Sequence, residues 1–196
     1  CFKALLFLAA GALIVSVHHE QDIFRMGGLR RHLPLVFRTF LIGAAALSGV
    51  PLVTSGFYSK DWILWSVWSS PLGGPWLWLG GTVGAVLTGL YSFRLIFRVF
   101  FGELRTRPDR RPGTAMSAPL IVLAALSLGV GFLEMPRTLG DLQLFSSYLS
   151  YALPALEPVA GLHESTEALE QAAVTAASLL GIGLAALLFL PRRSPA

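Results

Sequence analysis

GVPLVTSGFYSKD, residues 49–61, puts a Gly–Val–Pro break and a run of polar side chains between two strongly apolar stretches, LPLVFRTFLIGAAALS (33–48) and WILWSVW (62–68). A single helix crossing a ~30 Å hydrocarbon layer needs roughly 20 apolar residues, so the segment from His32 to Ser70 is nearly twice as long as one crossing requires. Part of it must be unwound or folded back. Irregular backbone is tolerated at membrane depth only where protein or a water-filled cavity meets its N–H and C=O groups, and a discontinuous helix therefore points to an ion pathway.

The regions on either side have the same membrane character. Runs at Phe2–Val17, Leu33–Phe57, Trp76–Phe101, Ala115–Leu133 and Ala168–Leu190 are long and apolar in a chain that is 54% hydrophobic and only 13% charged. Soluble cores are built from shorter or amphipathic runs. The expected fold is all-α, a polytopic transmembrane helix bundle of about five spans. These fall at 2–17, 33–68 (broken near 49–61), 76–101, 115–133 and 168–190, within a single transmembrane unit over 1–196. The first run lacks the basic region and cleavage site of a signal peptide, and the chain is expected to be a fragment that begins within a helix. Cys1 is the only cysteine, which leaves no intrachain disulfide and no cysteine-ligated cluster.

A net charge of +4 is not read as nucleic-acid affinity, because the arginines are sorted by loop. Arg25, Arg30 and Arg31 occupy the first connection, and the second, Ser69 to Pro75, carries no charge. Arg105, Arg107, Arg110 and Arg111 occupy the third, and the fourth, from Glu134 to Glu167, is acidic apart from Arg137. Arg192 and Arg193 follow the last span. This alternation is the positive-inside pattern, with the first helix running toward the cytoplasm and the C-terminus cytoplasmic. Trp62, Trp65, Trp68, Trp76 and Trp78 flank the uncharged loop as an outer aromatic belt. Arg94 and Arg98 are placed to snorkel at the inner face. Gly80 and Gly84 form a small-xxx-small pair suited to close helix packing, and Glu164, Glu167 and Glu170 read as a solvated first turn of the last helix.

Lys60 is the residue on which a functional reading turns. A lysine near the bilayer centre costs about 2.5–3.5 kcal/mol on insertion scales. Burial disfavours an ammonium and a nearby carboxylate favours it, so a lysine whose counter-charge can move away acts as a proton switch. Asp61 follows it, although adjacent side chains on a helix diverge. The competing reading is an outer-interface anchor beside the tryptophans. Lys3 supports the functional reading, since the two lysines both fall inside apolar runs while thirteen arginines are spread mostly through the loops. It can equally be a helix-end residue. His18, His19 and Glu20, at the end of the first run, stand either as a proton entry path or as a polar helix cap. No Walker loop, dinucleotide-binding glycine motif, H-E-x-x-H or haem-type pair is present, so no cofactor and no metal is expected in this chain.

Three stretches carry a family resemblance: FKALLFL (2–8), HHEQDIFRMGGL (18–29) and PLVTSGFYSKD (51–61). They resemble the L-type, distal antiporter-like membrane subunit of bacterial proton-pumping NADH:quinone oxidoreductase, respiratory complex I. The resemblance implies a part of a larger bundle with inverted repeats, each containing one broken helix. It further implies that Lys60 matches the lysine of the second broken helix, a terminal proton site toward the outside. Asp61 then matches the acidic residue after it, and Lys3 a lysine on the central polar axis. The family's histidine four positions before that lysine would lie upstream of Cys1, and Cys1 stands where the family usually has an aromatic residue. The implied function is proton translocation coupled to electron transfer in other subunits, which bind NADH and quinone. The implied partners are other complex I membrane subunits and the lipid bilayer, in the bacterial inner membrane. A subunit of a multisubunit cation/proton antiporter or membrane-bound hydrogenase is the alternative.

Overall fold

A computed structural model describes residues 1–70, 73–133, 144–149 and 164–190 of the protein. Those residues form helices and connecting turns, with no strand among them. In chain order the helices are α1 (Phe2–Ser16), α2 (Pro34–Ser48), α3 (Ser55–Ser69), α4 (Pro75–Phe100), α5 (Thr114–Gly129), α6 (Leu144–Leu149) and α7 (Glu164–Phe189). Short 3-10 turns occupy Leu29–Arg31 and Val130–Leu133, the second prolonging α5. Pro34 and Pro75 stand in the first turns of α2 and α4, where their missing N–H groups and fixed φ suit the helix start. Three helical stretches, Pro75–Phe100, Thr114–Leu133 and Ala168–Phe189, are long and apolar enough to cross a membrane, and α1 and α2 are shorter apolar helices.

The core lies where α1, α2, α4 and α5 meet, along the whole length of α1. Leu5, Ala9, Leu13, Val36, Phe40, Ile96, Val99, Phe100 and Leu120 are buried together there. An aromatic cluster joins α2 to α4, with Phe37 and Phe40 packed on Phe100 at ring-centroid distances of 5.3 and 5.7 Å. A Cβ at Gly43 would meet the Leu6 side chain at 2.9 Å and Leu5 at 3.4 Å. The late part of α2 therefore lies against the start of α1, and the two helices run antiparallel. This register also places Lys3 near the level at which α2 ends.

The crossing of α4 with α7 uses different glycines from the expected pair. Gly80 and Gly84 face open space in this chain. Gly89 instead sits against the backbone of Ser178 and Ile182 on α7, and a Cβ at Gly181 would collide with the Val86 carbonyl oxygen of α4. Without side chains at Gly89 and Gly181, the two backbones can approach until dispersion contacts hold them, the main attraction available between helices surrounded by lipid. Gly181→Leu is expected to destabilise the folded protein by about 1–3 kcal/mol, the usual cost of forcing extra volume into a packed contact. The check is the thermal midpoint of the detergent-solubilised full-length protein. An unshifted midpoint would mean that α4 and α7 do not cross here.

Candidate functional site

The helix break lies between Ser48 and Ser55, tighter than the 49–61 stretch marked out by the sequence. Gly49 adopts the left-handed conformation at φ 74° and ends α2. The N–H of Gly49 donates to the Ala46 carbonyl at 3.2 Å, and the N–H of Val50 donates to that of Ala45 at 3.0 Å. These two bonds form a Schellman motif, which satisfies two of the four carbonyls that a helix C-terminus leaves without an intrahelical donor. The other two belong to Leu47 and Ser48. Both accept hydrogen bonds from Lys60 Nζ, at 3.4 and 3.3 Å.

Lys60 is thus not in the unwound segment. It is in α3, whose first turn runs back past the end of α2, and its ammonium sits at the negative end of the α2 dipole. The close approach depends on Gly56, where a Cβ would collide with the Ala46 carbonyl oxygen. Within the break, Thr54 donates its hydroxyl to the Val50 carbonyl at 2.7 Å. The Tyr58 hydroxyl reaches the Leu52 carbonyl at 3.1 Å. Leu52 itself is held at φ 67°, a conformation costly for a leucine and typical of segments whose surroundings over-determine them.

Asp61 points away from Lys60, as adjacent positions on a helix require, and no ion pair joins them among the described residues. The Asp61 carboxylate is buried, at 8% exposure. Its Oδ2 accepts a hydrogen bond from Gln171 Nε2 of α7 at 2.8 Å, and its Oδ1 is buried with no partner among the described residues. A narrow cleft lined by Gly49, Phe57, Lys60, Asp61, Val174, Thr175 and Ser178 separates α3 from α7 and is too tight to hold a water. Ser48 Oγ is also buried without a partner, as is Oε2 of Glu170. Glu170 is therefore not part of a solvated first turn, as the sequence reading had it. Glu170 and Gln171 are both half-buried, and Gln171 reaches Asp61.

Gln171, Thr175 and Ser178 were not singled out in the sequence, although their spacing places them on one face of α7, toward Asp61. The other candidates are placed elsewhere. Lys3 is exposed on α1 in this chain, near the level of the break. His18 and His19 end α1 at its far end, in left-handed conformations with φ 56° and 62°, and both are exposed. His19 N–H closes on the Ile14 carbonyl at 2.9 Å, and His18 Nδ1 lies 4.0 Å from Asp109. They form a polar helix end and are not brought together with Lys60. Glu164 begins α7, and most of the acidic fourth connection lies outside the described residues.

Glu20 organises the turn after the histidines. Its Oε1 accepts from the backbone N–H groups of Asp22 and Gln21, both at 3.0 Å, and its Oε2 lies 3.5 Å from Arg25. The Asp22 N–H, followed by Gln21 and Arg25, holds this carboxyl below its ordinary value of 4.5, against a smaller opposing effect of burial. A lowered carboxyl stabilises the fold above its unfolded value and loses that contribution as pH falls through the folded one. The turn at 20–25 is expected to stay closed near neutral pH and to loosen as pH drops below about 4.5. Hydrogen exchange at the Gln21 and Asp22 amides, corrected for intrinsic pH dependence, checks this; protection unchanged on acidification would count against it.

Comparison with known proteins covers nearly the whole chain. Residues 1–88 match the family model described as NADH:quinone oxidoreductase/Mrp antiporter, TM. NADH-quinone oxidoreductase subunit L of Pseudomonas aeruginosa is 47% identical over 192 residues, covering 98% of this chain and 29% of the relative. The Escherichia coli protein of the same description is 44% identical over 193 residues, again 98% and 29%. The one from Rickettsia felis is 44% identical over 138 residues, covering 67% of this chain and 20% of the relative. The chain thus spans under a third of the length of the relatives it matches.

Proposed function

The chain belongs to the L-type, antiporter-like membrane subunits of NADH-quinone oxidoreductase, and on that premise we propose that it forms one half-channel for proton translocation, with Lys60 as the group that takes up and releases the proton. Electron transfer from NADH to quinone drives this from other subunits. It sits in the bacterial inner membrane, with the arginine-bearing loops and the C-terminal end of α7 on the cytoplasmic side. The positive-inside asymmetry of its loops supports that orientation.

One observation carries the reading: the titratable amine of Lys60 closes the C-terminus of a helix at a break between two apolar segments. A proton carrier must be stable with its charge and able to give it up. The carbonyls of Leu47 and Ser48 stabilise the charged form, and the buried surroundings oppose it. Asp61, held by Gln171 across the cleft, is the nearby acceptor, with one oxygen still without a partner among the described residues. The family description also names Mrp antiporters, so a cation/proton antiporter subunit remains the second reading. The relatives that match across nearly all of the chain favour the oxidoreductase.

Lys60→Arg separates the structural from the proton-carrying role, because a guanidinium can still donate to the carbonyls but does not release its proton in a protein. In inverted vesicles carrying the full complex, Lys60→Arg and Lys60→Ala are both expected to lower NADH-driven proton pumping several-fold. Only the alanine variant should also lose stability, by about 1–3 kcal/mol for the carbonyls left without donors. Normal pumping by Lys60→Arg would end the proton-carrier reading and leave Lys60 as a helix cap.

Gln171→Leu removes the hydrogen bond to Asp61 at similar volume. A hydrogen bond to a charged group contributes about 1.5–3 kcal/mol, so proton transfer through Asp61 is expected to slow by roughly tenfold or more. Single-turnover proton release measured after a quinone pulse checks this. An unchanged rate would show that Asp61 does not lie on the path.

A further inference from the structure

The end of the bundle away from Lys60 holds a second polar feature, independent of the proton reading. The 23–32 connection, the 101–105 connection and the ends of α4 and α7 enclose a cavity of about 790 Å³. Arg30, Arg31, Arg98 and Arg105 line it, against a single carboxylate, Glu103. Among the described residues none of these arginines pairs with a carboxylate. Arg105 is held by the Phe24 carbonyl at 2.6 Å. The Arg30 guanidinium lies over the Phe101 ring at 4.8 Å, and Arg98 lies 5.7 Å from the Phe24 ring. Arg94, one turn before Arg98, shares the Phe189 ring with it, at 5.3 and 5.6 Å. Four like charges are gathered here against the one carboxylate, Arg30 and Arg98 set on aromatic faces and Arg105 on a carbonyl, so that positive charge is in excess.

We propose that this cavity binds the phosphate of an anionic phospholipid whose acyl chains lie along α4. The shape of the surface selects an amphiphile. Val83, Leu87, Tyr91, Arg94 and Arg98 recur at three- and four-residue intervals, so they form one stripe on α4. Val83, Leu87 and Tyr91 are exposed at 49%, 56% and 54%. That stripe is apolar over its length and ends in two guanidiniums beside the cavity mouth. An acidic peptide or free phosphate would satisfy the arginines and leave the stripe unused. A phosphodiester with hydrocarbon tails satisfies both, and guanidinium forks match phosphate oxygens in geometry as well as charge.

The test uses the complete protein in its complex, reconstituted into phosphatidylcholine vesicles with a trace of phosphatidylglycerol bearing a photoactivatable group in the acyl chain. Adducts are expected on the peptide containing Leu87 to Arg98. Each basic residue near a lipid surface contributes appreciably to anionic binding, so Arg94→Gln with Arg98→Gln should reduce the adduct yield roughly tenfold or more. Should that double variant fail to assemble, competition in the unaltered complex decides: excess unlabelled phosphatidylglycerol should abolish the adduct, and inorganic phosphate at the same concentration should not. The proposal is overturned by equal labelling from a phosphatidylcholine probe or by an unchanged yield in the double variant. It is equally overturned by loss of the adduct to inorganic phosphate, which would indicate a free-phosphate site, or by no labelling of α4 at all, which would indicate that protein covers the cavity.

Discussion

A helix C-terminus leaves four carbonyls without intrahelical donors, and the arrangement around the break in this protein follows from meeting them. Two are met locally because Gly49 can turn left-handed. The other two are met from a distance by Lys60, which demands that α3 start beside the end of α2 and that residue 56 carry no side chain. The direction of α3 is thereby set, and with it the position of Asp61. Asp61 faces α7, and α7 is brought close enough for Gln171 to reach it by the Gly89 and Gly181 crossing with α4.

Much of this was legible in the sequence because it obeys strong one-dimensional rules. The length of the apolar runs, the sorting of arginines between loops and the Gly–Pro break between two apolar halves each reflect a cost that lipid imposes on any chain. Lys60 stood out for the same reason. Its partners did not, because the carbonyls of Leu47 and Ser48 have no residue-type signature and any residue could have supplied them. Gln171, Thr175 and Ser178 escaped notice as ordinary polar residues in an alanine-rich helix. Their role exists only once α7 is packed against α3.

The glycines show the same limit. Gly80 and Gly84 match a packing motif and face open space, whereas Gly89 and Gly181, each four residues from an alanine in the same kind of small-xxx-small spacing, carry the crossing of α4 with α7. A contact between two helices is a property of both surfaces, and spacing along one of them cannot specify it. The extent of the break was also misjudged. The polar run continues to Asp61, yet helix resumes at Ser55, because Ser59, Lys60 and Asp61 find partners without leaving helical geometry: Ser59 on the Gly56 carbonyl, Lys60 on α2 and Asp61 on α7.

An ammonium has three N–H donors, and Lys60 commits two of them to α2. A neutral amine keeps two. The change of charge at this site can therefore proceed with both carbonyls still met, weakened by the loss of charge assistance but not abandoned. On the proposed reading of Lys60 as proton carrier, the proton to be given up is the one not engaged in holding the helix end, and architecture and cargo would be divided among the three hydrogens of a single nitrogen.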